Sequence, residues 1–179
     1  ISTHSCGATN VHNPDIDYGN MTDQDGNSYR TVTIGEQTWM AENLKTAHYR
    51  NGDPIPVVTS ESAWASASTG ASCWHNNDSA TYDCPYGRLY NWYAVTDPRG
   101  LAPKGWHVPT IDDYRVLVDY LGGVDVAAGH LKEAGFAHWS SPNEGADNSS
   151  GFTALPNGYR YPWGEFLNLG NVGPLWSSS

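Results

Sequence analysis

Three consecutive blocks decide the reading of this chain. They are Tyr86-Gly-Arg-Leu-Tyr-Asn-Trp-Tyr-Ala-Val95, Leu101-Ala-Pro-Lys-Gly-Trp-His-Val-Pro-Thr110 and Ile111-Asp-Asp-Tyr-Arg-Val-Leu-Val-Asp-Tyr-Leu-Gly-Gly123. They read as an aromatic core segment, a rigid Pro/Gly turn and a capped amphipathic helix. Thr110 is a good N-cap, and Asp113 three residues on can close a capping box. Pro109 holds the preceding residue extended, so the helix starts abruptly. Ile111, Tyr114, Leu117, Val118 and Leu121 form one apolar stripe. Asp112, Asp113, Arg115 and Asp119 take the other side, with the two early acids at the positive end of the helix dipole. Gly122-Gly123 end the helix.

On the N-terminal side, Tyr29, Thr31 and Thr33 alternate with Arg30, Val32 and Ile34, which predicts a strand. Gly35-Glu36 turns it into a second strand, Gln37-Thr-Trp-Met40, and the two form a hairpin. Glu61-Ser-Ala-Trp-Ala65 predicts a helical turn. Arg88–Val95 is helix or buried strand, with helix favoured by Leu89, Trp92 and Tyr93. On the C-terminal side, 126–135 is helical or extended, Phe152–Arg160 is a strand and turn, and Trp163-Gly164 is a turn. Leu175-Trp176 begins a strand at which the sequence stops. No internal repeat or low-complexity tract is present.

The composition fits one loop-rich domain. The 179 residues include 8 Trp and 11 Tyr but only 3 Phe, so most large side chains carry a polar handle. Only 16% are charged, while Gly, Asn, Ser and Thr are abundant. Such a chain is held by Trp and Tyr packing and by side-chain hydrogen bonds. The formal net charge of -10, with no Lys/Arg run, argues against nucleic acid as a partner. No apolar run approaches the length of a membrane span. Low Lys content, abundant Trp, Tyr, Asn and Gly, several Cys and the opening Ile1-Ser-Thr-His-Ser-Cys6 point to an exported, processed chain at the cell surface or outside it.

Cys73 and Cys84 bracket a polar loop and are expected to close it as a disulfide, contributing about 3 kcal/mol. Cys6 then pairs with another chain, pairs with a segment outside this sequence, or stays free. The spacing does not suggest zinc.

Asp23-Gln-Asp-Gly-Asn-Ser-Tyr-Arg-Thr-Val-Thr-Ile-Gly-Glu-Gln-Thr-Trp-Met-Ala-Glu-Asn-Leu44 resembles the Fibrobacter succinogenes major paralogous domain family. The resemblance continues through Trp74-His-Asn-Asn-Asp78, Tyr86–Ala94, Gly105–Thr110, Asn148-Ser-Ser-Gly-Phe-Thr-Ala-Leu-Pro156 and Leu175-Trp-Ser-Ser178. It implies an exported α+β module with a C-type-lectin-like fold: two main helices, short twisted antiparallel strands and long irregular loops. That fold is shared with formylglycine-generating enzymes and with retroelement-diversified variable proteins. The resemblance implies residues 1–22 as an N-terminal segment and 23–179 as a single domain. It also implies further strands beyond the Trp-Ser-Ser block, the last carrying a Cys that would be the partner of Cys6. It implies no biochemical activity.

Several residue groups are candidates for a site. Asp15, Asp17, Asn20, Asp23, Asp25 and Asn27 are spaced like oxygen ligands, with calcium as the candidate cation, although Asp/Asn/Gly runs are also ordinary turn chemistry. Asn76, Asn77, Asp78 and Asp83 form a second such group. Trp64, Trp74, Trp139, Tyr159, Tyr161 and Trp163 lie in loop-like context and are contact candidates. Trp39, Trp92, Trp106 and Trp176 are expected in the core. No elbow motif accompanies the scattered His residues, and Glu133, Glu144 and Glu165 form only an unspecific carboxylate set, so no enzyme is expected. Asn20-Met-Thr and Asn148-Ser-Ser are formal glycosylation sequons.

The expected function is a non-enzymatic binding or adhesion module that presents loops to a glycan or protein at a cell surface. The alternatives are a structural subunit of an extracellular filament, joined to copies of itself, or a phage or retroelement-diversified receptor binder.

Overall fold

The structure is a computed structural model that describes residues 3–9 and 11–179. Ile1, where the processed chain is expected to start, lies outside the described residues. The fold is α+β, with five helices and three small antiparallel sheets among the described residues.

β1 (Gly19–Thr22), β2 (Ser28–Ile34) and β3 (Gln37–Met40) form an antiparallel sheet in that order. The expected hairpin is present, with Val32 opposite Trp39 and Ile34 opposite Gln37. Gly35 makes the turn at φ +62°, and a Cβ there would come within 2.9 Å of the Tyr120 ring. Only glycine lets the hairpin tip lie against that ring. The segment before Asp23 is tied to the rest of the chain, because β1 pairs with β2 along its whole length.

The capped helix is α4, counted after α1 (Glu61–Ala65), α2 (Ser79–Tyr86) and α3 (Trp92–Val95), and it spans Ile111–Tyr120. Both halves of the capping box are made: Asp113 N donates to Thr110 Oγ1 at 3.2 Å, and Thr110 N donates to Asp113 Oδ2 at 2.8 Å. Leu117 is fully buried and packs with Val32, Ile34, Trp39, Ala41 and Phe152 as the main core, flanked by Tyr114 and Leu121. Ile111, expected on the same stripe, is 48% exposed and takes no part in that core. α5 (Val124–Leu131) follows after Gly122-Gly123.

Arg88–Val95 is not one helix. It begins as β5 (Leu89–Tyr90), paired with β4 (Ser72–Cys73), and only then becomes α3. Asn91 causes the change, since its side chain caps α3 through Ala94 N at 3.0 Å and also accepts from Ala71 N at 2.9 Å. A second core gathers here from Tyr49, Ile55, Tyr90, Ala94, Val95 and Leu101. β6 (Asn157–Arg160) and β7 (Phe166–Leu169) form the last hairpin. The strand expected at Leu175-Trp176 is not formed. That segment lies along the 108–110 turn, with Ser178 N donating to Pro109 O at 2.8 Å.

The expected Cys73–Cys84 bridge is corrected by the structure. The disulfide joins Cys6 and Cys84, whose Cα atoms are 5.9 Å apart. Cys73 is a fully buried strand residue packed with Trp64 and Ala71. Its side chain belongs to the core, and burial pushes its thiol up to about 11. The bracketed loop is also not plain loop, because it contains a 3-10 turn (His75–Asn77) and the first part of α2.

Candidate functional site

The β6–β7 hairpin carries the most distinctive surface. Its strand alternation buries Gly158 and Arg160 and turns Tyr159 and Tyr161 to the other side. Tyr159 meets Tyr161 edge to face at 5.2 Å, and Tyr161 stacks on Trp163 at 4.1 Å with planes 11° apart. Trp163 is 59% exposed. Asn168 Nδ2 donates to Tyr159 Oη at 2.8 Å, and Trp163 Nε1 donates to Glu165 Oε2 at 3.4 Å. Three of the contact candidates therefore form one aromatic ladder.

The ladder is braced from beneath. Arg160 donates from Nη1 to Val58 O (2.7 Å), from Nη2 to Thr59 O (2.9 Å) and from Nε to Gly164 O (2.9 Å). Its guanidinium lies 4.6 Å from the ring centroids of both Trp64 and Phe166. Gly164, at φ +104°, sits so close to α1 that a Cβ would fall 2.6 Å from Glu61 Cα. The close approach seats the hairpin turn on α1.

The other three contact candidates do not join the ladder. Trp64 is 7% exposed and is a core residue beneath Arg160, which corrects its expected loop role. Trp74 lies under Arg88 at 4.2 Å and donates to Asp83 Oδ1 at 2.7 Å. Trp139 donates to Ala154 O at 3.0 Å and carries Lys132 over its ring. Both are half-buried braces.

Two tryptophans expected in the core are instead at the surface. Trp92 and Trp176 are 44% and 45% exposed and face each other at 5.9 Å. Nothing in the local sequence separates them from Trp39, which is buried. Trp92 opens the short helix α3 on its solvent side, and Trp176 is drawn over Tyr90 by a hydrogen bond to its carbonyl.

Between the ladder and this second pair runs a cleft of about 710 Å³, bounded by Trp39, Tyr90, Val108, Tyr114, Phe152 and Leu175, with Tyr159 at its lip. Its size and apolar lining suit a ligand site. All four residues of β3 border it, and among the described residues β3 pairs only with β2. Four side-chain atoms on lining residues are buried without a hydrogen-bond partner: Gln37 Oε1, Trp39 Nε1, Arg88 Nε and Asn157 Oδ1. Buried polar groups are ordinarily paired, and these four belong to the cleft, while seven others lie elsewhere among the described residues.

The calcium candidates do not converge. Asp23 accepts from Tyr29 Oη (2.6 Å), Asn27 Nδ2 (2.9 Å) and the N–H groups of Asp25 and Asn27 (both 2.9 Å). Asp25 turns toward Thr46, Ala47 and His48. Asp15 and Asp17 lie in a separate turn before β1, and Asn20 accepts from Arg30. The Asp23, Asp25 and Asn20 oxygens are thus taken up by protein donors. In the second group, Asp78 caps α2 through Thr81 N, Asp83 accepts from Trp74, and Asn77 donates to Thr59 O. Among the described residues, one group of three His, Cys, Asp or Glu donors gathers within 4.8 Å: His4, Cys6 and Cys84.

His130, Asp147 and Ser149 lie together, but they make no relay. Asp147 and Ser149 both bond to the same ring nitrogen, Nδ1, at 3.0 and 2.8 Å. A relay needs the two partners on opposite nitrogens. Glu133 is buried against His138 Nδ1 at 2.7 Å, while Glu144 and Glu165 are exposed. Asn148, in one of the sequons, is 2% exposed and bonded to Thr153, so it offers no amide for a glycan.

Residues 32–179 match the Fibrobacter succinogenes major domain, and the chain belongs to that family. No curated protein and no solved structure matches it. Among the described residues, no helix is long and apolar enough to cross a membrane.

Proposed function

For this member of the Fibrobacter succinogenes major domain family, we propose an exported, non-enzymatic binding module that holds a glycan across the Tyr159–Tyr161–Trp163 ladder. One observation carries the reading: the near-parallel Tyr161–Trp163 stack, with Trp163 exposed, on a hairpin tied to residues 58–61 by Arg160 and Gly164. Sugar rings present flat C–H faces, and aromatic faces with a polar edge are suited to bind them. Asn168 and Glu165 stand beside the rings as hydrogen-bonding groups for hydroxyls. Bracing by Arg160 and Gly164 removes the ordering cost that a mobile loop would meet on binding. The disulfide supports export. We read the α+β frame as C-type-lectin-like, with the ladder and cleft on its ligand face. A glycan array probed with and without calcium tests the proposal. Binding that Trp163→Ala weakens at least tenfold, with thermal stability unchanged, is expected. No binding under either condition overturns it.

The free edge of β3 beside the cleft favours a second reading, a filament subunit that accepts an extended segment from another copy as an added strand. A strand there would cover the apolar walls and offer backbone groups to the four unpartnered polar atoms. Sedimentation at high concentration and negative-stain microscopy test it. Only monomers in both would sink this reading and leave the glycan reading standing.

A further inference from the structure

We propose that His4, Cys6 and Cys84 form a zinc site when their disulfide is opened, so that the same residues hold either a bridge or a metal ion. The turn at the start of the chain assembles the donors. His4 N donates to Ala8 O at 3.1 Å and Gly7 N to His4 O at 2.8 Å, folding Cys6 back over the His4 ring. The Cys6 N–H donates to His4 Nδ1 at 3.2 Å, which makes that nitrogen the lone-pair side of the ring. The same Nδ1 lies 2.7 Å from Cys6 Sγ, and Cys84 Sγ belongs to the same 4.8 Å cluster. Two thiolates and one imidazole are donors that zinc prefers, and three protein ligands leave a fourth tetrahedral position for water.

The surroundings of His4 strengthen the assignment. Its other nitrogen, Nε2, is buried with no hydrogen-bond partner and faces Glu42 Oε2 at 3.7 Å. Glu42 is held by Ser5 N at 2.7 Å, by Ser5 Oγ and by His12 Nε2 at 3.1 Å. At 3.7 Å Glu42 makes no hydrogen bond to Nε2, but a shift of under about 1 Å would bring it into the carboxylate–histidine bond that orients ligating histidines at protein metal sites. The Cα separation of 5.9 Å between the cysteines leaves room for side-chain rotation to spread the sulfurs. Around a tetrahedral zinc they would sit about 3.8 Å apart.

A dithiol or phosphine reductant supplies two electrons, and with two protons the S–S bond becomes two thiols. Zinc then displaces both thiol protons, replaces the Cys6 N–H at the Nδ1 lone pair, and binds two thiolates and His4 Nδ1. A small-molecule disulfide reverses this: thiol–disulfide exchange passes the two electrons to it, giving two small thiols, restoring the Cys6–Cys84 bridge and releasing the ion. Local sequence spacing hides this site, since Cys84 lies 78 residues from Cys6.

Cobalt(II) is the probe, because thiolate ligation gives charge-transfer absorption and tetrahedral coordination gives visible bands. Full-length protein reduced with a phosphine is titrated without oxygen. One equivalent is expected to bind the reduced form and none the oxidised form, with zinc displacing cobalt. Cys73→Ser should leave this unchanged. Cys6→Ser and Cys84→Ser should abolish it, His4→Ala should weaken it at least tenfold, and Glu42→Gln should weaken it about tenfold. Zinc should also raise the melting temperature of the reduced protein, which reports on the site even if reduction loosens the fold. Reduced protein that shows neither stoichiometric cobalt binding nor a zinc-dependent rise overturns the proposal. So does binding that survives Cys6→Ser.

Discussion

Arg160 shows how much one residue can organise. Its guanidinium is buried, donates to three backbone carbonyls and lies against Trp64 and Phe166. Arg160→Met keeps most of the volume but leaves Val58, Thr59 and Gly164 carbonyls without their donors. Unfolding in denaturant should show a loss of about 3–5 kcal/mol. His4 and Glu42 give a second test at this scale. Burial lowers His4 from 6.5 to about 4. Burial pushes Glu42 up, but the hydrogen bonds from His12 and Ser5 and the nearby His4 outweigh it, so its carboxyl lies below the usual range. Both shifts act in one direction. Between pH 6.5 and about 4 the unfolded chain protonates His4 while the folded chain does not, so stability falls as pH falls. Glu42 adds to the loss as pH drops through its own lowered value. The His4 contribution approaches about 3 kcal/mol at its limit. Stability curves at pH 7.5, 5.5 and 4.5 should show this slope, and His4→Gln should flatten it above pH 4.5. An unchanged slope in that variant would show that His4 is not the group responsible.

At the level of elements, α4 depends on its cap. Thr110→Ala removes the acceptor for Asp113 N and should cost about 1 kcal/mol. For a chain of this size that is a drop of roughly 2–4 °C in melting temperature. In Asp113→Ala the same box is broken from the other side. Hydrogen bonds from the Thr110 N–H and hydroxyl and from His107 hold the Asp113 carboxyl down to about 2. The double variant should therefore lose less than the sum of the two singles, and simple additivity would show that the box is not one unit. This helix was legible in the sequence because cap, stripe and glycine stop all lie within local range. The β2–β3 hairpin was legible for the same reason. β5 and α3 were not: the switch at Asn91 needs Ala71, 20 residues away, to accept a place beside it. Of the aromatic ladder, the sequence showed Tyr159, Tyr161 and Trp163 only as contact candidates in loop-like context, beside Trp64, Trp74 and Trp139; their stacking comes from the β6–β7 hairpin. Its rigidity was not legible, because Arg160 reaches carbonyls about 100 residues upstream.

Over the whole molecule, the disulfide decides how the N-terminal segment is held, and local reasoning assigned it to the wrong pair. Cys73 and Cys84 are close in sequence, but the strand pairing of β4 turns Cys73 into the core, and the turn at His4–Ala8 delivers Cys6 to α2. Two consequences separate the pairings. A local loop would contribute about 3 kcal/mol, whereas closing the 78-residue separation contributes about 4.5 kcal/mol through the denatured chain. Reduction should therefore lower the melting temperature by roughly 10–18 °C. The free thiol also differs. Cys73 is buried and its thiol is raised to about 11, so the native protein should give no reaction with a thiol reagent at neutral pH. One equivalent should react after denaturation without reductant. Proteolysis under non-reducing conditions should then yield a linked peptide pair containing Cys6 and Cys84, with the label on Cys73. A linked pair containing Cys73 and Cys84 would mean that the N-terminal turn is not anchored to α2. It would also remove the dithiol on which the zinc site depends.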